Sequence, residues 1–321
     1  MAVYTKISEQ EISQHLRKYD LGNLISLKEI IDGIDNSNFI LETEKGKFIL
    51  TIFESRIDKN DLPFFINFKL HLAEKKIPCP RPIFDNSGLI ISDLKEKKST
   101  IVTFLSGATL KSRQDGYYDN ININHCFEVG KILAKLHLAA QDFEMSRLND
   151  LGINGWSALF SKFENLIENY QKNLLGEITE NLSFLKSSWK HDLPTYAAHL
   201  DLFPDNVFFD ENANLSGVID FYFAANDALI FDFAIAVNAW CFDEKNNFLQ
   251  NHFDEILRGY ESIRKFSELE KSFLKIALVG AAMRFLLTRL HDMFFTPKDS
   301  LVNIKNPQEY LAKLRFFRER I

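Results

Sequence analysis

Short apolar runs broken by turn formers fill the first hundred residues, and apolar positions at helical spacing fill most of the rest. Ser8 precedes Ile12, Leu16 and Tyr19, so it reads as the N-cap of a short amphipathic helix within residues 8–19. Leu24 to Ile31, Asn38 to Thr43 and Lys47 to Phe53 are β-rich runs separated by Asp32-Gly33 and Glu44-Lys45-Gly46, the pattern of a meander. Asp61-Leu62-Pro63 opens a helix, since proline is favoured in a first turn, and Phe64, Phe65, Phe68 and Leu72 carry it to about Lys76. Pro78, Pro80 and Pro82 then impose an extended connector, and Ile90-Ile91 and Thr100 to Leu105 read as two more strands. Five strands and one helix make a small α/β lobe ending near Gly107.

Beyond Asn122 the period is helical. Phe127, Ile132, Leu133 and Leu136 mark a helix to about Ala140, with His137 beside the stripe as a packing histidine rather than a ligand. Trp156 to Lys190 is a polar, asparagine-rich helical stretch with no separable chemistry. Asp232 to Trp240, Phe248 to Tyr260, Leu269 to Arg289 and Gln308 to Phe317 complete a mainly helical region. The expected class is α+β, with residues 1–107 as a small lobe of antiparallel sheet plus helix and 108–321 as a large, mainly helical lobe. No repeat or low-complexity run interrupts them.

Composition changes this picture little. At 321 residues, 46% hydrophobic and 26% charged, the chain has the makeup of a folded protein with a large core. A formal charge of −6 gives no electrostatic reason to expect nucleic acid or an anionic membrane as partner, which leaves small molecules. Cys79, Cys126 and Cys241 are odd in number and far apart, so neither a disulfide framework nor a zinc site is expected. The start lacks the apolar core of a signal peptide, and Ile276 to Leu290, interrupted by Arg284 and Arg289, is too short to span a bilayer. A cytoplasmic location is the expectation.

The chemistry concentrates in His199-Leu200-Asp201-Leu202-Phe203-Pro204-Asp205-Asn206. Val207-Phe208-Phe209, a turn at residues 210–214, and Leu215 to Asp220 follow it. Two apolar runs around such a turn read as a hairpin, which returns the chain so that Asp220 faces Asn206, with Asp201 on the loop before. A carboxylate and an amide oxygen are donors that a hydrated Mg²⁺ accepts alongside phosphates, and the second carboxylate is left to receive a proton. Asp201 is thus the candidate base and Asn206 and Asp220 the candidate metal ligands. Pro204 restricts the loop, Asp205 is read as structural, and His199 is expected to hydrogen-bond the loop rather than transfer protons.

The pattern H-x-D-x-x-x-x-N followed by I-D resembles the catalytic and metal loops of protein-kinase-like phosphotransferases. The resemblance runs further: Gly33 to Phe39, Phe48 to Thr51 with Asp61 to Phe65, Cys79-Pro80, Asp220 to Phe223 with Asn226-Asp227, Asn238 to Phe242, Arg284 to Leu290, and Glu309 to Leu311 with Leu314 to Phe316 are similar to the bacterial homoserine kinases of the aminoglycoside-phosphotransferase-like superfamily. The resemblance implies a two-lobed kinase-like fold and Mg²⁺- and ATP-dependent phosphorylation of the L-homoserine hydroxyl. The turn of Gly33, Ser37 and Asn38 would then cover the nucleotide. Homoserine is a zwitterion, so its site needs a cation for the carboxylate and an anion or carbonyl for the ammonium. Arg284 or Arg289 and Asp227 are the candidates, with pairing of the arginines to structural acids such as Asp232 or Asp292 as the other reading. One departure stands out: Thr51 occupies the strand position where such enzymes carry a phosphate-binding lysine, leaving Arg56 or another residue to supply that charge. Kinases of other small alcohols, such as choline, an aminoglycoside or methylthioribose, and a non-catalytic binding protein on the same fold are the alternatives. Oligomeric state and feedback regulation are not legible.

Overall fold

The computed structural model describes residues 5–30, 36–54, 57–111, 118, 120–297 and 304–320. They divide into two compact units, one of residues up to Ser106 together with Gly217–Tyr222, the other of Gly107–Ser216 with Phe223 onwards. The short return segment carrying Asp220 therefore belongs with the first unit, an exchange that a single linear boundary at residue 107 does not contain.

In the first unit, helix α1 (Glu9–Leu16) begins at a capping box in which the Ser8 hydroxyl accepts from the Glu11 N–H and the Glu11 carboxylate from the Ser8 N–H. Strands β1 (Leu24–Ile30), β2 (Asn36–Thr43) and β3 (Gly46–Phe53) form the expected meander, and β4 (Ser92–Leu94) and β5 (Lys97–Thr103) complete a five-stranded antiparallel sheet of order β1-β2-β3-β5-β4. Alternation along β2 buries Phe39 and Leu41, which pack with Ile12, Leu16, Leu50 and Ile101 under α1. Ile90 and Ile91, expected as strand, instead pack half-buried on a second apolar cluster, and ladder pairing starts at Ser92. Helix α2 (Leu62–Glu74), with Pro63 in its first turn, buries Phe64, Phe65, Phe68 and Leu72.

The second unit is mainly helical: α3 (Ile123–Ala139), α4 (Ile153–Ser161), α5 (Glu164–Tyr170), α6 (Leu174–Ser188), α7 (Leu229–Trp240), α8 (Gln250–Glu261), α9 (Glu268–Phe295) and α10 (Pro307–Arg318). The polar stretch expected as one helical region is three helices, and Asn173, at φ +66°, makes the corner before α6. Five short strands follow β5 among the described residues. Ala108–Thr109, β6, pairs with β8 (Val207–Phe209), next to which lies β9 (Leu215–Val218), so the expected hairpin exists. Thr195–Ala198, β7, pairs antiparallel with β10 (Ala225–Ala228) and sets the end of the loop that starts at His199. All three cysteines are free and buried, and no helix among the described residues is long and apolar enough to cross a membrane.

Candidate active site

The loop from His199 to Asn206 is held from beneath by one buried carboxylate. Asp232, on the first turns of α7, accepts the backbone N–H of His199 at 3.0 Å and of Leu200 at 2.8 Å. His137 of α3 completes the shell, with Nε2 3.0 Å from Asp232 Oδ2 and Nδ1 2.8 Å from the Tyr260 hydroxyl, so it is the satisfied packing histidine its sequence context indicates. Burial alone would raise the Asp232 carboxyl, but the hydrogen bond and charge of His137, with His199 and the loop N–H groups, hold it below the usual carboxylate value.

Leu200 needs this support. It sits at φ +60°, where a Cβ is crowded, and turns the chain so that Asp201 follows on the loop's partly exposed side. Its carbonyl accepts from Arg284 Nη1, and the Leu202 carbonyl from Trp240 Nε1 at 2.8 Å. His199 is fully buried, and its Nδ1 accepts from the Asp201 N–H at 3.2 Å, a loop-holding role. Pro204–Asn206 form a single 3-10 turn, from which Asn206 Nδ2 donates to the Asp201 carbonyl at 2.8 Å and to its carboxylate at 3.3 Å. The structure thus brings Asp201 and Asn206 together. With its amide N–H groups turned to Asp201, Asn206 keeps Oδ1 as its acceptor atom.

Arg284 is 2% exposed, and its Nε has no hydrogen-bond partner among the described residues. Burial lowers its affinity for a proton, while Asp201, Asp232 and Asp227 favour the charge. Asp227, on β10, accepts Asn149 Nδ2 at 2.6 Å and the Ala228 N–H at 2.7 Å, and burial pushes its carboxyl up. Arg289 is engaged by Glu309 at 2.5 Å and by the Asn306 carbonyl at 2.9 Å, so its acidic neighbour is neither Asp232 nor Asp292.

In the first unit, Asp220 is also left-handed, at φ +63°, and begins the turn Phe221–Phe223, where Phe221 packs edge-on against Phe68 of α2. Thr51 of β3 donates to Asn38 Oδ1 at 2.8 Å, and the Ser37 hydroxyl is buried, donating to Glu54 at 2.7 Å. Glu54 also takes Thr5 and Lys97, so no lysine of β3 meets it. Gly33 and Arg56 lie outside the described residues. A charge that the sequence reading passed over is Lys69 of α2, 6% exposed, 5.1 Å from the Tyr222 ring centroid and in the field of Asp220. Burial depresses its amine to about 8 against the pull of Cys79 and Asp220. The signal was present: Lys69 within Phe64 to Leu72, like Asp232 within Leu229 to Val237, is a lone charge in an apolar run, and such a charge stays only where something compensates it.

Among the described residues no three His, Cys, Asp or Glu side chains gather as a metal cage. Residues 26–266 match the family described as "Phosphotransferase enzyme family", APH. The chain belongs to this family. It is 44% identical over 320 residues to the homoserine kinase of Agrobacterium fabrum, covering 99% of this chain and 96% of that one. To the homoserine kinase of Bartonella tribocorum it is 45% identical over 317 residues, covering 99% and 97%. Among solved structures, an amicoumacin kinase in complex with AMP-PNP, Ca²⁺ and its antibiotic superimposes with a TM-score of 0.67 at 14% identity, covering 98% of this chain and 93% of that one. This phosphotransferase therefore has the kinase-like α+β fold expected from its motifs, and it is an enzyme of alcohol phosphorylation.

Proposed function

We propose that this phosphotransferase moves the γ-phosphoryl group of ATP onto the side-chain hydroxyl of L-homoserine, giving O-phospho-L-homoserine and ADP, a step toward threonine in the cytoplasm. The observation that carries the reading is the clamped loop in which Asp232, Arg284 and Trp240 fix the backbone around Asp201. Near-full-length likeness to homoserine kinases supports the acceptor, and the nucleotide analogue in the amicoumacin kinase supports the donor.

Asp201 accepts the hydroxyl proton as the homoserine oxygen forms its bond to phosphorus and the bond to the ADP oxygen breaks. Asn206 through Oδ1, and Asp220 through its carboxylate, are the ligands assigned to Mg²⁺. When bound, Mg²⁺ neutralises charge on the transferring phosphates. Gly33, Ser37 and Asn38 are assigned to the nucleotide, and the buried Ser37 hydroxyl leaves the backbone as the contacting part of that residue. Arg284 or Arg289 with Asp227 are the residues assigned to the acceptor's charged end.

An ADP-release assay over homoserine, choline, methylthioribose and an aminoglycoside tests the proposal. Turnover should be confined to homoserine, and turnover confined to another alcohol overturns it. Asp201→Asn should lower kcat by roughly 10²–10⁴-fold. A near-native rate in that variant removes Asp201 as the base.

A further inference from the structure

The second unit holds a cavity of about 430 Å³, within the roughly 300–1,000 Å³ range of ligand sites. Arg289 of α9 and Glu309 and Lys313 of α10 form part of its wall, all three buried. Glu309 is shared: Oε2 takes Arg289 Nη1 and Oε1 takes Lys313 Nζ, each at 2.5 Å. Two cations thus share one anion in a place that water reaches poorly. The remaining contacts are neutral, namely the Asn306 and Asn238 carbonyls at 2.9 Å and the Tyr310 ring beneath both cations, 4.4 and 4.5 Å from its centroid. Burial depresses the Lys313 amine even against Glu309, and the two cations hold the Glu309 carboxyl down despite its burial. One positive charge is left facing the cavity, and an uncompensated buried charge is costly, so the wall favours an anion.

Two further groups bear on what that anion carries. The Tyr118 hydroxyl lines the cavity, is buried and has no hydrogen-bond partner among the described residues. Burial, with the Asp205 carboxylate beside it and Asp201 beyond, keeps it protonated, so it is a hydroxyl donor whose acidic neighbour is Asp205. Across the cavity, His252 donates Nδ1–H to the Trp240 carbonyl at 3.0 Å, which fixes the orientation of its ring. The cavity therefore offers positive charge and a hydroxyl donor for a carboxylate, with the His252 ring on the opposite side. Phe203, which forms another wall, has its N–H 2.8 Å from the Asp201 carbonyl, so the cavity abuts the loop that carries Asp201.

We propose that this cavity seats the charged end of the acceptor, a small zwitterionic amino acid bearing a primary alcohol, with Lys313 and Arg289 as its carboxylate-recognising pair and Tyr118 as a further donor. The proposal rests on the homoserine reading and adds to it a location and two residues, Lys313 and Tyr118, in binding roles. It moves the carboxylate from Arg284, which is not part of this cavity's wall, to Arg289, which is.

The test compares homoserine with 3-amino-1-propanol, the same alcohol and amine without the carboxylate. The wild-type enzyme should prefer homoserine in kcat/KM by at least a hundredfold. Lys313→Met and Tyr118→Phe should each reduce that preference tenfold or more, through homoserine KM, with the KM for ATP held within about twofold. Equal loss for both alcohols, or an unchanged preference, overturns the proposal. Should Lys313→Met fail to fold, Tyr118→Phe and a crystal structure of the wild-type enzyme with homoserine decide, since a carboxylate placed away from Lys313 and Arg289 also overturns it. A wild-type enzyme that does not phosphorylate homoserine sinks the functional reading instead, a separate result.

Discussion

Leu200 holds a backbone conformation that suits glycine, at φ +60°, and is fully buried there, so the loop carrying Asp201 is set by its partners rather than by local preference. Asp232 is the main partner. Asp232→Asn keeps the shape but leaves the His137 contact and two backbone N–H groups without a charge, and should cost about 3 kcal/mol of stability, read from urea midpoints. The sign with pH follows from the depressed Asp232 carboxyl. Its stabilisation is complete above the ordinary carboxylate value of 3.8 and is lost as pH falls through the lower folded value, so the variant should lose part of the acid limb of the wild-type stability curve. Lys69 behaves oppositely. Its amine, near 8 in the folded state and 10.5 by ordinary value, is charged in both states below 8, where burial costs stability; between the two values the folded form sheds its proton first and wild-type stability rises. Lys69→Met should therefore be at least as stable as the wild type at pH 7, with its advantage shrinking from pH 8 to 10.5 in thermal melts. The residue types at Asp201, Asn206 and His199 were readable because their spacing is fixed by one loop. Asp232 was visible only as a lone charge in an apolar run; the loop N–H groups it holds, like the Asn238 carbonyl that takes Lys313, lie on segments that only the fold brings near.

At the scale of elements, legibility followed period. β2 alternates over a covered face, β1 and β3 are β-rich runs bounded by turn formers, and α2 and α9 carry long apolar stripes, so all were visible. β7 and β10 are four residues each, rich in alanine, and hold their place through pairing with each other rather than through a pattern of their own. The α4–α6 region hides its corners in asparagines, one of which, Asn173, is left-handed. Helices α3 and α8 show a contact whose reason is in single residues: a Cβ on Gly130 would lie 2.0 Å from the Ile256 carbonyl oxygen, and one on Gly259 would lie 2.1 Å from that of Phe127. The two glycines let the backbones touch reciprocally. Gly130→Ala or Gly259→Ala must push the helices apart, at a cost of about 1–3 kcal/mol or more, and each should lower the urea midpoint. A substitution at the open Gly176, where nothing lies within 4 Å, serves as the control.

On the scale of the molecule, the sequence reading had the class and the family from motifs spread along the whole chain. It lacked the exchange that puts Gly217–Tyr222 with the first unit, because contact, not sequence order, defines a unit. The cysteines were read from number and spacing as unpaired, and the structure finds all three buried, one in the first unit and two in the second. Burial raises the Cys79 and Cys126 thiols to about 12 and the Cys241 thiol well above its ordinary value. Such thiols are almost free of thiolate at neutral pH and react only when their surroundings open. The chain thus carries its own stopwatches for opening: with an alkylating reagent and mass spectrometry by peptide, labelling at Cys79 times the first unit and labelling at Cys126 and Cys241 the second. Homoserine should slow the second pair far more than the first.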